Sequence, residues 1–246
     1  MLTGPGQTRA DAVTMEIERK CSPSYTVAYV LLDYKESVIA TSGAVAYCSG
    51  GISAKATAPG GVTRSLIRRR LGDESFFMGR YTAEVHHAWV ALAPKFPGDV
   101  FEVAVGAQSP LLVESGALLA MSDGVQIDVK WAGARNIAMH EGATVLSVSG
   151  SGLALLSSYG GIEHFQLQQD QEVIIDTGHI VAWSRSCKYR LGMLGGVIGA
   201  QLTGEGLAAV LTGPGDVWVQ TRAEQDFKDW LMPEREQNTG RGGARQ

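Results

Sequence analysis

The chain has 246 residues, 45% of them hydrophobic and 19% charged, with a formal net charge of −4 and a pI near 5.7. Such a length buries a core without disulfide or metal staples, and the composition excludes a disordered chain. The acidic balance argues against a general electrostatic grip on nucleic acid or anionic lipid, and no stretch approaches the ~20 uninterrupted apolar residues of a spanning helix.

Residues 1–14 are polar and carry Gly and Pro, which reads as a flexible leader, with Met15 an alternative start. They lack the apolar core of a secretory signal. Cys21, Cys48 and Cys187 have no C-x-x-C spacing and read as reduced thiols, so a cytoplasmic location is expected. The chain uses 31 Gly against 8 Pro, which favours many short strands joined by tight turns.

The sequence resembles itself. Ser42-Gly-Ala-Val-Ala-Tyr-Cys-Ser-Gly-Gly-Ile52 aligns without a gap on Ser115-Gly-Ala-Leu-Leu-Ala-Met-Ser-Asp-Gly-Val125, and a weaker copy runs Thr177-Gly-His-Ile-Val-Ala-Trp-Ser184. Gly43, Gly116 and Gly178 lead the three copies, which makes units of roughly 60 to 75 residues. Each glycine follows a short apolar stretch, Val38-Ile-Ala40, Leu111-Leu-Val113 or Val173-Ile-Ile175. A glycine at one recurring point suggests a positive-φ corner or a close backbone approach.

Period-two alternation predicts strands at Tyr25–Val30, Val100–Val105, Ile127–Trp131, Thr144–Ser149 and Val217–Thr221. Turn signals separate them at Pro97-Gly-Asp99, Ser122-Asp-Gly124, Tyr159-Gly-Gly161 and Gly213-Pro-Gly-Asp216. A helix is predicted from Arg222 to Met232, with Thr221 and Glu224 forming a capping box, Phe227, Trp230 and Leu231 facing the body, and Pro233 stopping it. Residues 234–246 read as a disordered tail.

The expected architecture is therefore all-β: three degenerate β-sandwich or double-stranded β-helix-like repeats (about 15–95, 96–165 and 166–221) in a pseudo-threefold arrangement, with one C-terminal helix. Closure is favoured over a solenoid because three units carry no distinct capping repeats and strand edges need cover.

Several longer motifs accompany the repeat: Gly72-Asp-Glu-Ser-Phe-Phe77, Leu92-Ala-Pro-Lys-Phe-Pro-Gly-Asp-Val100, Asp176-Thr-Gly-His-Ile-Val-Ala-Trp183 and Gly213-Pro-Gly-Asp-Val-Trp-Val-Gln-Thr-Arg222. As a set, over about Met15 to Pro233, the sequence resembles a widespread family of bacterial and archaeal proteins related to the fungal mitochondrial biogenesis, or altered-inheritance-of-mitochondria, protein. The resemblance implies a fold similar to the tryptophan RNA-binding attenuation protein, with subunits often assembled into oligomers. It implies no agreed catalytic residues.

Chemical signals are sparse. His86 and His87 are adjacent, so on a strand they would point to opposite faces and not share a metal. His140, His164 and His179 show no metal-ligand spacing, so no metal and no cofactor are expected. His179 occupies the third corner where the other copies have Ala44 and Ala117, and Asp176 lies beside it; these two are the residues to inspect for function. Gly204-Glu-Gly-Leu-Ala-Ala209 lacks the sustained helix of a dinucleotide fingerprint, and Gly150-Ser-Gly152 is no nucleophile elbow. Arg64 with Arg68, Arg69 and Arg70 reads as a solvated loop, and Trp89, Trp131, Trp183 and Trp218 read as packing residues. The leading expectation is a non-enzymatic homo-oligomeric scaffold or binding module. A small-molecule or nucleotide/RNA-binding protein using clefts between repeats is the second reading, and a hydrolase or metal enzyme around His179 and Asp176 the third.

Overall fold

The computed structural model describes residues 15–57, 78–128, 145–192 and 208–232. The chain forms nineteen strands and one α-helix across these segments, and every strand pairing is antiparallel. A lead strand β1 (Glu16–Lys20) precedes β2 (Val27–Leu32), β3 (Ser37–Thr41), β4 (Val45–Cys48), β5 (Ile52–Thr57), β6 (Met78–Ala83) and β7 (Ala88–Leu92). A second set follows: β8 (Val100–Val105), β9 (Leu111–Glu114), β10 (Leu118–Ser122), β11 (Val125–Asp128), β12 (Val145–Gly150) and β13 (Gly152–Ser157). The third is β14 (Ile162–Leu167), β15 (Glu172–Asp176), β16 (Ile180–Ser184), β17 (Lys188–Gly192), β18 (Ala208–Thr212) and β19 (Gly215–Gln220), after which comes helix α1 (Glu224–Leu231).

Within each set the pairings are the same. The first strand pairs with the sixth, the sixth with the third, the fourth with the fifth, and the fifth with the second. Each third strand carries a register shift against its sixth, at Val45/Tyr47, Leu118/Ala120 and Ile180/Ala182, so the bulged residues are Ala46, Leu119 and Val181. One serine clips each of these third strands in place. The Ser49, Ser122 and Ser184 hydroxyl oxygens accept from the backbone N–H of Trp89, Leu153 and Asp216 at 2.9, 3.0 and 3.0 Å.

Between sets, β3 pairs with β10 and β9 with β16. Those two junctions fuse half-sheets of successive sets into six-stranded sheets, ordered β5-β6-β3-β10-β13-β8 and β11-β12-β9-β16-β19-β14. The remaining halves stay separate, as a four-stranded sheet β1-β2-β7-β4 and a three-stranded sheet β15-β18-β17. The pair that would complete a closed threefold set, β4 with β15, is not made within the chain.

Three apolar clusters hold the four sheets together. One joins the four-stranded sheet to the first six-stranded sheet (Val30, Val90 and Leu92 against Val38, Leu119 and Leu155); a second joins the two six-stranded sheets (Ile39, Met121 and Leu156 against Val113, Leu146 and Val181). The third joins the second six-stranded sheet to the three-stranded one (Leu112, Ile180 and Trp183 against Ile175, Ala209 and Leu211). Strands at a junction therefore bury both faces: Ile39 enters one cluster while Val38 and Ala40 enter another. This explains the unbroken apolar runs of β9, β10 and β16, where β2 instead alternates buried with half-buried residues.

The starts of the sets are stitched by backbone. Thr26 N–H donates to the Gly98 carbonyl at 3.0 Å, and Asp99 N–H to the Gly160 carbonyl at 3.2 Å. A Cβ on Gly98 would stand 1.8 Å from the Ser158 carbonyl oxygen, so only glycine fits there.

Helix α1 is shorter than the sequence suggests and is capped differently. Ala223 stands at its N-cap with no side-chain hydrogen bond, because the Thr221 hydroxyl is already accepting from Gly161 N–H at 2.8 Å. Phe227 reaches Tyr159 with ring centroids 6.0 Å apart, but Trp230 and Leu231 are 77% and 58% exposed and do not dock on the body. The predicted strands at Ile127–Trp131 and Thr144–Ser149 are observed as β11 and β12, while Trp131, Thr144 and residues 234–246 lie outside the described residues.

Two outcomes follow for stability. Replacing Gly98 with Ala will lower stability by about 2–3 kcal/mol, read as a lower urea midpoint at unchanged slope, because a carbonyl oxygen cannot yield as a side chain would. Tyr189 stacks on buried Trp183 at 5.4 Å, and burial pushes its hydroxyl up to about 12 from an ordinary value of 10.0. Its contribution to stability is thus complete below pH 10 and is lost as pH rises towards 12; Tyr189→Phe will flatten that alkaline loss in thermal melts across this window.

Candidate functional site

The three corner glycines do different work. Gly43 adopts φ +81°, a left-handed conformation, with the Ala44 N–H donating to the Thr41 carbonyl at 3.1 Å. The second corner repeats this turn, Ala117 N–H donating to the Glu114 carbonyl at 3.0 Å, but Gly116 does not take positive φ. At the third, Thr177–His179 tighten into a single 3-10 turn, and Gly178 is needed for close approach, since a Cβ there would stand 3.0 Å from the Ala223 methyl.

His179 and Asp176 both serve this third corner, yet they do not bond to each other. The Asp176 carboxylate accepts from Gly178 N–H at 2.8 Å, capping the turn. The His179 ring lies 2.7 Å from the Gln220 carbonyl oxygen through Nδ1; a carbonyl only accepts, so Nδ1 carries a proton. Gln220 completes the knot, its Nε2 donating to the Gly178 carbonyl at 2.9 Å and its Oε1 accepting from Tyr159 N–H at 2.8 Å. The arrangement locks the corner to the end of β19 and the start of β14. Gln220 stands inside the Gly213–Arg222 motif, but a glutamine at a strand end has no spacing to a partner in the sequence that marks it as the centre of the corner.

Two of the remaining histidines, His86 and His164, pair with carboxylates. His86 and His87 sit in the turn between β6 and β7 and not on a strand, since the reversal there is reached through a left-handed His87 at φ +56°. His86 Nδ1 meets the Asp33 carboxylate at 2.5 Å. A backbone hydrogen bond from Tyr34, with that from His86, holds the Asp33 carboxyl below its ordinary value. His164 Nε2 lies 2.9 Å from the Asp216 carboxylate, and its ring stacks on Trp218 at 4.9 Å. Among the described residues no group of three or more His, Cys, Asp or Glu side chains converges as a metal site would require. His140, Arg64, Arg68, Arg69 and Arg70 lie outside the described residues.

The outer face of the four-stranded sheet carries a feature that single-residue motifs do not reveal. Tyr29 and Tyr47 flank Ala91 in register, one from β2 and one from β4, and their hydroxyls meet at 2.9 Å. Trp89 joins them with ring centroids 5.4 Å from Tyr29 and 6.0 Å from Tyr47, and Lys20 Nζ stands 4.4 Å over the Tyr29 ring. Trp89 is therefore half-buried in a surface cluster, whereas Trp183 is sealed in the core. Sequence could only have flagged the cluster through the pairing register that sets Tyr29, Ala91 and Tyr47 in one row. No helix among the described residues is long and apolar enough to cross a membrane.

Comparison with known proteins agrees with this architecture. The chain is 25% identical over 221 residues to the uncharacterized protein M6_Spy0233 of Streptococcus pyogenes serotype M6, covering 85% of this chain and 87% of that protein. It shares its fold with the crystal structure of protein SPYM3_0169 from Streptococcus pyogenes, at a TM-score of 0.69 and 23% identity, over 89% of this chain and 98% of the other. The family model described as Mitochondrial biogenesis AIM24 matches residues 17–222, nearly the whole set of strands, and the chain belongs to that family.

Proposed function

We propose that this protein is a non-enzymatic scaffold that works by assembling with copies of itself and presenting the resulting surface to partners. The observation that carries this reading is that successive units of the fold are joined by edge-to-edge strand pairing, β3 with β10 and β9 with β16. The polar groups at the third corner support it as well, because Asp176, His179 and Gln220 are spent on backbone atoms of the corner itself. Side chains so engaged position the fold and leave little for chemistry.

A second reading, small-molecule or nucleotide binding, draws on the Tyr29–Tyr47–Trp89 face with Lys20 at its margin. Flat rings beside a cation suit a planar aromatic ligand bearing negative charge.

Light scattering of the purified protein at micromolar concentration will give a mass that is a multiple of the 26.1 kDa chain; a single-chain mass would sink the scaffold reading. Titration with adenine nucleotides will quench tryptophan emission in the native protein and less in Trp89→Ala if the second reading holds, and unchanged emission in both counts against it.

A further inference from the structure

The two fused junctions define what a third would look like. In the first, Val38, Ile39 and Ala40 stand opposite Ser122, Met121 and Ala120; in the second, Leu111, Leu112 and Val113 stand opposite Ser184, Trp183 and Ala182. Carried through the repeat alignment, both give one rule. The three residues of the second strand face the clip serine and the two residues before it, in that order.

Applied to the strands left over, the rule sets Val173 opposite Ser49, Ile174 opposite Cys48 and Ile175 opposite Tyr47. These strands have the chemistry of junction strands without the burial. Val173-Ile-Ile175 is an unbroken apolar run like Leu111-Leu-Val113, and Val45-Ala-Tyr-Cys48 corresponds to Leu118-Leu-Ala-Met121. Yet β10 is buried along its whole length, whereas β4 exposes Ala46, Tyr47 and Cys48 and β15 exposes Ile174. Tyr47 is 47% and Ile174 56% exposed. Each strand also lies at the end of its sheet, β4 in the order β1-β2-β7-β4 and β15 in the order β15-β18-β17. Apolar strands with an unpaired edge call for a partner strand.

We propose that β15 of one copy pairs antiparallel with β4 of a second copy, in the register Val173 to Ser49, Ile174 to Cys48 and Ile175 to Tyr47. The pairing joins the two incomplete sheets into β1-β2-β7-β4 followed by β15-β18-β17, the same order of halves as in both six-stranded sheets. The contact is head to tail, so an open assembly keeps one free β4 at one end and one free β15 at the other until it closes on itself. A second copy is the fitting occupant because the chain already makes this contact twice internally. This proposal rests on the scaffold reading and specifies its interface.

Residues directly opposite across an antiparallel pair have Cα atoms about 4.5–5.5 Å apart, within disulfide range. The test is Ile174→Cys in a Cys21→Ser background, leaving the native Cys48 as its partner, with Glu172→Cys in the same background as an off-register control. Under mild oxidation, non-reducing gels will show a ladder of cross-linked chains for Ile174→Cys, lost when Cys48→Ser is added and absent from the Glu172→Cys control. Ile174→Lys, at a site exposed in the single chain, will keep the β circular-dichroism spectrum and a cooperative melt while the mass falls to one chain. A disulfide formed within single chains, seen as a mobility shift on reduction with no ladder, would show closure inside the molecule and overturn the proposal. Absence of the Cys48 cross-link in a protein that light scattering shows to be assembled overturns this junction and leaves the scaffold reading standing. A monomer with no cross-link removes both.

Discussion

The rest of this structure depends on one constraint: a six-strand unit of this kind cannot cover its own junction strands. The fourth and fifth strands of each unit pair with each other, the sixth pairs with the first and third, and the second is reached only through the fifth. That leaves the outer edges of the second and third strands open. Both strands are apolar on two faces, so leaving them open exposes backbone donors and acceptors together with large side chains. Pairing the second strand of one unit with the third strand of the next satisfies the backbone and buries residues such as Leu112, Met121 and Trp183, each stabilising by roughly 1.5–3 kcal/mol. The layering of sheets follows, because a strand buried on both faces must lie between two cores.

Local devices make the junction reproducible. The bulges at Ala46, Leu119 and Val181 each fall three residues before the clip serine and re-aim the strand where it meets the neighbouring unit. The clip serines then fix the strand's end by bonding to the backbone of its partner. A serine recurring beside an apolar run therefore has a stated physical role. It supplies one acceptor where the ladder between the third and sixth strands ends, beyond the bulge.

Much of this was legible in the sequence. The corners, the clip serines and the apolar stretch before each corner were visible because they are short-range and repeated, and the strand Val100–Val105 is observed with the same bounds. The units were visible but not their joining, since which edge meets which edge is a long-range choice that spacing does not encode. His86 and His87 lie in a turn because His87 reverses the chain through positive φ, which their adjacency alone does not reveal. The helix began later than expected because Thr221 had a competing donor in Gly161, far off in sequence. The candidate site was legible only as a location. His179 was marked as the altered corner, but its meaning depended on Gln220 and Tyr159, which lie near it only in the folded chain.

The altered third corner and the unpaired edges are connected. Gln220 holds the 3-10 turn that directly follows β15, through the Gly178 carbonyl and the His179 ring, and Asp176 at the end of β15 caps that turn. In the first two units the strand before the corner is paired across the junction and the corner also carries a side-chain bond, Thr41 Oγ1 donating to the Leu119 carbonyl at 3.1 Å and the Glu114 carboxylate accepting from Ala117 N–H at 3.0 Å; β15 makes no junction pairing within the chain, and its corner is tied to the end of β19 as well. His179, which stands where the other copies have Ala44 and Ala117, thus has a mechanical role: its ring nitrogen and the Gln220 amide hold the turn that follows β15 against the end of β19.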